Sequence, residues 1–173
     1  MIDPHWGVHA PGLVPKVTRA LVRLAHRECR NDVCRLVSFT YGSGFPALWR
    51  HENLTEETHE WLKEEFGPVT LRFFRQMARC VRRGHLVSFS PTESLPNDYV
   101  ASPPKTNARI SFLAGELSGC FLPESQRRTY EYFSQFRSDH TLHLFPGYSH
   151  LDVLIGKNAA QEVFPVILRE LSR

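Results

Sequence analysis

Residues 109–115 read RISFLAG, and residues 140–145 read HTLHLF. The first stretch is a short apolar run ending in glycine, which is typical of a strand buried in a parallel sheet. The second alternates polar and apolar residues, as a half-buried strand does. Between them, residues 124–137 place aromatic residues such as Tyr130 and Phe133 at helical spacing. This order predicts an α/β fold with two adjacent parallel strands joined by a right-handed helical crossover.

A histidine follows the second predicted strand on a turn, residues 146–150 (PGYSH), and a last helix is predicted to open at Asn158 with Gln161 as its capping-box partner. Open α/β sheets place their sites at the carboxyl ends of the strands. His150 is therefore the strongest candidate for a catalytic group, as a general base.

The first half of the chain is predicted to be helical. Helices are expected at residues 14–28, between Thr55 and Gly67, and between Pro68 and Gly84, where caps and apolar spacing agree. Residues 35–41 are apolar and remain ambiguous between helix and strand.

Irregular stretches separate these elements. Residues 42–46 are predicted to be a loop and residues 85–88 a short strand, and the prolines of residues 89–107 predict a linker back to the sheet.

The C-terminal pattern resembles the last part of an α/β-hydrolase. In that family a strand ending in glycine precedes the loop that carries the triad acid, here residues 115–121. A Pro-Gly-x-x-His turn carries the triad histidine, here residues 146–150. The segments 147–152 (GYSHLD) and 155–160 (IGKNAA) are similar to the hydrolase-like region that accompanies flavin-dependent oxidoreductases of the cholesterol-oxidase (glucose-methanol-choline) type.

This resemblance implies a partial α/β-hydrolase fold. Residues 1–107 would be a helical cap-like region with its linker, and residues 108–173 would be two parallel strands with flanking helices. The implied activity is ester or acyl hydrolysis, with an apolar or sterol-like substrate.

The triad is incomplete in the sequence. The position three residues beyond Gly115, where the family commonly has Asp, is Ser118, so the candidate acids are Glu116 and Asp152, although either can equally be a solvated carboxylate. No Gly-x-Ser-x-Gly pentapeptide supplies a nucleophile.

Three functions therefore stay open. The chain is predicted to be an incomplete hydrolase, inactive alone and completed by a missing N-terminal half. It could instead be a non-catalytic accessory module of an oxidoreductase partner, or an independent small hydrolase using Ser43 or Ser118. The core around Ile110 and Leu142 is expected to leave an exposed apolar patch that promotes such association.

No cofactor or metal is predicted. A Gly-x-Gly-x-x-Gly motif is absent, which excludes a standard dinucleotide fingerprint. Cys29 and Cys34 with His26 nearby could bind zinc, but a second ligand pair is not evident from the spacing.

Composition restricts the partners. A net charge of +3 over 173 residues is too small to indicate nucleic acid. The sequence lacks an apolar run of the ~20 residues that a membrane span needs. Residues 1–6 lack signal-peptide features, and the four cysteines are expected to be free thiols, so the predicted location is cytoplasmic.

Overall fold

A computed structural model describes residues 11–41 and 48–173. The elements are helices α1 Leu13–Ala25, α2 Asp32–Tyr41, α3 Glu56–Glu65 and α4 Leu71–Arg83, strand β1 Ser111–Gly115, helix α5 Pro123–Ser134, strand β2 Thr141–Phe145, and helices α6 Asp152–Ile155, α7 Ala159–Glu162 and α8 Phe164–Leu171. A 3-10 turn, His51–Asn53, precedes α3. The mixture of helices with a parallel strand pair confirms the α/β class.

These elements form two compact units. One comprises residues 68–108 and contains α4. The other comprises residues 109–173 with the described part of residues 11–67. One unit boundary therefore coincides with the predicted junction near residue 108, but α1, α2 and α3 belong to the same unit as the strands.

The smaller unit is built around α4. This helix ends as predicted at Gly84, whose φ of 76° is the left-handed conformation that glycine adopts most easily. The prediction of a strand at residues 85–88 is wrong, because the backbone there makes only an isolated antiparallel bridge, between Val87 and Asp98. None of the helices in the described ranges has the length and apolarity that a membrane span requires.

In the larger unit, β1 and β2 pair in parallel, as predicted, with Ser111 opposite Thr141 and Gly115 opposite Phe145. Within the described ranges the sheet has these two strands alone, so each has an edge without a strand partner. Alternation divides the side chains between two faces. Phe112 lies against Tyr130 and Phe133 of α5, at ring-centroid distances of 6.2 and 5.8 Å, so α5 covers one face.

Helix α8 lies on the other face of the sheet. Leu113 and Phe145 pack there against the apolar cluster that includes Val163, Val166 and Ile167. The capping box predicted at Asn158 does not form. The Asn158 side chain donates to Glu162 instead, and the backbone angles φ −105° and ψ 0° are not those of an extended N-cap.

Glu170 fastens α8 to both strands. Its buried carboxylate accepts hydrogen bonds from Arg109, 2.5 Å away, and from Ser111 of β1. It also accepts one from Thr141 and contacts His143 Nε2 of β2 at 3.0 Å. The Arg109 guanidinium, together with these smaller contributions, lowers the pKa of Glu170 to about 2.

A second core lies in the helical part of the larger unit. Its buried members are Val33, Cys34, Val37, Leu48, Trp49, Leu54 and Leu62. The ambiguous residues 35–41 are helical within α2, and Thr55 caps α3 as predicted by accepting from the Thr58 N–H at 3.1 Å. The predicted loop at residues 42–46 lies outside the described residues.

The segment after β2 joins this core to the sheet. Leu151 and Ile155 pack against the core, and Leu151 N–H donates to the Leu48 carbonyl at 2.6 Å. Lys157 N–H donates to the Asn53 carbonyl at 2.7 Å. The segment that directly follows His150 is therefore tied to the helical core by two backbone hydrogen bonds.

We expect Gly115→Ala to destabilise the larger unit. A Cβ at this position would overlap the carbonyl oxygens of Tyr148 and Ser149, which are backbone atoms that can yield only if the turn moves. The expected loss is about 1–3 kcal/mol in the free energy of unfolding, measured by chemical denaturation. Gly67→Ala is the matched control, because its Cβ would meet no atom within 4 Å. Equal stability of the two variants would contradict the packing described here.

We also expect Glu170→Gln to lower stability in a pH-dependent way. The pKa of Glu170 in the folded chain, about 2, lies below its ordinary value of 4.5. Its ionised form therefore contributes stability that is fully present above that ordinary value and is lost as pH falls through the folded pKa. The melting temperature of the variant should lie below that of the wild type at pH ~7, and the difference should shrink at pH ~3. Glu131→Gln, at an exposed position of α5, serves as control, and a difference that is independent of pH would exclude this role.

Candidate functional site

His150 lies on the turn that follows β2, as the sequence predicts. Gly147 opens that turn with a φ of 78°, which side chains other than glycine rarely accept. The loop after β1 packs against it, because Leu117 N–H donates to the Tyr148 carbonyl at 2.8 Å and Glu116 N–H to the Phe145 carbonyl at 3.0 Å. The two loops expected to share the carboxyl edge of the sheet therefore do so.

The imidazole of His150 is half-buried against an aromatic ring. The centroids of His150 and Phe121 are 4.9 Å apart. Burial lowers the pKa of His150, while the negative charge of Asp152 acts in the opposite direction. The ring is therefore predominantly neutral at physiological pH, which is the state that a general base requires.

An apolar cleft adjoins this ring. It has a volume of about 240 Å³. Its lining residues are Leu113, Ala114, Phe121, Gln126, His150, Val153, Leu154, Val163 and Ile167. The wall is largely apolar, and His150 is the one titratable side chain among these lining residues.

Asp152 holds the turn together and does not contact the His150 ring as a triad acid would. Its fully buried carboxylate accepts hydrogen bonds from Ser149 N–H at 2.7 Å, from the Asn53 side chain, and from Arg50 N–H at 3.4 Å. Burial raises the pKa of Asp152 despite these donors. Its oxygens thus organise the turn around His150 and influence the ring only through their charge.

The other two predicted positions do not support the imidazole either. Glu116 is exposed to solvent. Ser118 is buried, and its hydroxyl accepts from Phe121 N–H at 3.3 Å, which shapes the loop after β1. Within residues 11–41 and 48–173, no carboxylate hydrogen-bonds the His150 ring.

A second cluster of chemically active side chains lies in the helical part of the same unit. His26, Cys29, Cys34 and His51 place one donor atom each within 4.8 Å of one another. Helix α1 ends at Ala25, and not at residue 28 as predicted, so His26 turns inward and is fully buried. Cys29 follows in the loop, Cys34 lies in the first turn of α2, and His51 begins the 3-10 turn.

The cluster is strongly polarised. The interaction with the Cys34 thiol, helped by His26 and His51, lowers the pKa of Cys29, and the same interaction together with burial raises the pKa of Cys34. Burial alone would lower the pKa of His51, but contacts with Cys29 and Glu28 raise it. Cys29 is thus the more acidic of the two thiols.

Sequence reasoning identified three members of this cluster and missed His51. The signal available was the run His26-x2-Cys29-x4-Cys34 followed by a further histidine after 16 intervening residues. The spacing of His51 follows no fixed pattern, because its approach depends on how the segment between α2 and the 3-10 turn returns to the core.

We expect the titration midpoint of His150, measured by NMR of its ring signals, to lie below the ordinary value of 6.5. Phe121→Ala should raise it toward that value by admitting water. Asp152→Asn should lower it further, since a favourable negative charge is removed. Phe136→Ala is the control, as this exposed ring contacts Tyr132 and not the histidine. A midpoint unchanged by Phe121→Ala would contradict the assigned burial.

The chain matches no family model, no curated protein and no solved structure in comparisons with known proteins. The resemblance to α/β-hydrolases therefore rests on the residue pattern alone.

Proposed function

We propose that this chain supplies the histidine section of an α/β-hydrolase-like site, with His150 as general base in ester or acyl hydrolysis of an apolar substrate. The observation that carries the proposal is the position of the His150 ring, at the carboxyl edge of a parallel strand pair and beside an apolar cleft. The lowered pKa of His150, which favours the neutral imidazole, supports the same role.

The reaction would require a serine from elsewhere. His150 would take the proton of a serine hydroxyl as it attacks the acyl carbon, then return it to the leaving alcohol. The apolar end of a sterol-like or long-chain acyl group would occupy the cleft between Leu113 and Ile167. The edges of β1 and β2 that have no strand partner in residues 11–41 and 48–173 offer backbone groups to which further strands, carrying that serine, could add.

This proposal predicts that the chain alone does not hydrolyse p-nitrophenyl butyrate above background, because an isolated imidazole lacks both nucleophile and oxyanion donors. Co-expression with a polypeptide that is encoded next to this chain and contains Gly-x-Ser-x-Gly should yield a complex. The serine of that motif should then react with a fluorophosphonate probe. His150→Ala should slow labelling and hydrolysis by about 100-fold or more.

His85→Ala is the matched control, because this histidine pairs with Asp98 in the other unit. Unchanged labelling in His150→Ala would refute the base assignment. Hydrolysis by the chain alone that depends on Ser118 would replace the proposal by an independent hydrolase.

A second candidate function is a non-catalytic accessory module for a flavin-dependent oxidoreductase. The observation that favours it is the apolar face of α1, where Val14, Val17, Leu21 and Leu24 are exposed by 75, 49, 56 and 62%. Paired substitution of Leu21 and Leu24 by Glu should then release a flavin-containing partner, whereas His150→Ala should leave partner and turnover unaffected.

A further inference from the structure

We propose that His26, Cys29, Cys34 and His51 form a four-coordinate zinc site. Four potential ligands, two thiols and two imidazoles, converge with all their donor atoms within 4.8 Å. This site is separate from the His150 cleft and does not depend on its function.

The separations between donor atoms fit a tetrahedron. Zinc at ~2.3 Å from sulfur and ~2.0 Å from nitrogen holds S and N donors roughly 3.5 Å apart. The Cys29 sulfur lies 3.3 Å from His26 Nε2. The Cys34 sulfur lies 3.8 Å from His26 Nε2 and 3.4 Å from His51 Nε2. Only small side-chain adjustments are needed to place one ion between them.

The His51 ring is already oriented for coordination. Its Nδ1 lies 2.8 Å from the Glu28 carboxylate, so Nε2 is the nitrogen that faces the sulfurs. A carboxylate behind the imidazole is the usual outer partner of a metal-bound histidine, where it fixes the ring and strengthens it as a donor.

The remaining ligands are held by the backbone around them. Arg35 donates to the His26 carbonyl at 3.2 Å, and Asn31 Oδ1 accepts from Cys34 N–H at 2.9 Å. His26 Nδ1 is buried without a hydrogen-bond partner in the described part of the chain, so its only polar contacts are made through the inward-facing Nε2. These contacts restrain the backbone at two of the ligands, His26 and Cys34, before any ion arrives.

The donor set selects the metal. Two thiolates with two imidazoles in a tetrahedral arrangement suit Zn²⁺, whereas Mg²⁺ and Ca²⁺ prefer oxygen ligands. Two thiolates also neutralise the charge of the ion, which allows burial. Since the protein supplies all four ligands, no position remains for water, and the site is structural.

Zinc would also restrain the segment that contacts the turn carrying His150. His51 directly follows Arg50, whose N–H donates to the Asp152 carboxylate, and the nearby Leu48 carbonyl accepts from Leu151 N–H. An ion that links His51 to the start of α2 therefore restrains residues 48–50, whose backbone hydrogen-bonds the residues that follow His150.

The test is metal content and cobalt spectroscopy of the full-length chain, purified under reducing conditions. We expect close to one zinc per chain, and replacement by Co²⁺ should give tetrahedral d–d bands with thiolate-to-cobalt charge transfer. Cys29→Ser and His51→Ala should lose stoichiometric metal. Cys80→Ser, which alters a cysteine of the other unit, should retain it.

Two further variants test whether these side chains coordinate a metal ion or only pack in the core. His51→Cys should still bind Co²⁺, with stronger charge transfer because three thiolates now coordinate. Glu28→Gln should weaken zinc affinity by about 10- to 100-fold, while Glu64→Gln, at an exposed position of α3, should not. A folded wild-type chain that takes up no metal, or a Cys29–Cys34 disulfide in the reduced preparation, would overturn the proposal.

Discussion

The buried carboxylate of Asp152 is the contact on which the arrangement of the larger unit depends. It accepts from Ser149 in its own turn and from Asn53 and Arg50, about a hundred positions earlier in the chain. An ionised group is costly to bury unless donors surround it. Here the donors come from two regions at once, so satisfying the charge also requires that the helical core and the end of β2 meet.

The candidate base and the proposed metal site are connected through this contact. Residues 48–53 run between them, with His51 turned toward the cysteines and the neighbouring backbone turned toward Asp152. The helical region is thus more than a cover for strands. It determines where the turn bearing His150 stands, and its own geometry is determined by four polar side chains within a largely apolar core.

Local signals in the sequence were sufficient for the strands and for some helix ends, whereas α1 ends at Ala25 and not at residue 28, and α4 begins at Leu71 and not at Pro68. The parallel pair, the aromatic face of α5, the Thr55 cap and the Gly84 end follow from spacing and backbone preference, which act over a few residues. The role of Asp152 and the recruitment of His51 did not follow, because their partners are distant in sequence. The capping box at Asn158 failed for a different, local reason, because the Asn158 side chain donates to Glu162 only four residues on, and the apparent motif carried no information about that competition.

Glu170 has a consequence for how the strands align. Its carboxylate meets Ser111, Thr141 and His143, all on the same face of the sheet. Sliding β2 by a single residue would turn Thr141 and His143 to the opposite face and present Leu142 to the charge. One acidic side chain on the last helix therefore favours a single register of the two strands. Misaligned pairings are penalised electrostatically as well as by packing, so the C-terminal helix selects the correct alignment among alternatives that a short two-stranded sheet would otherwise tolerate.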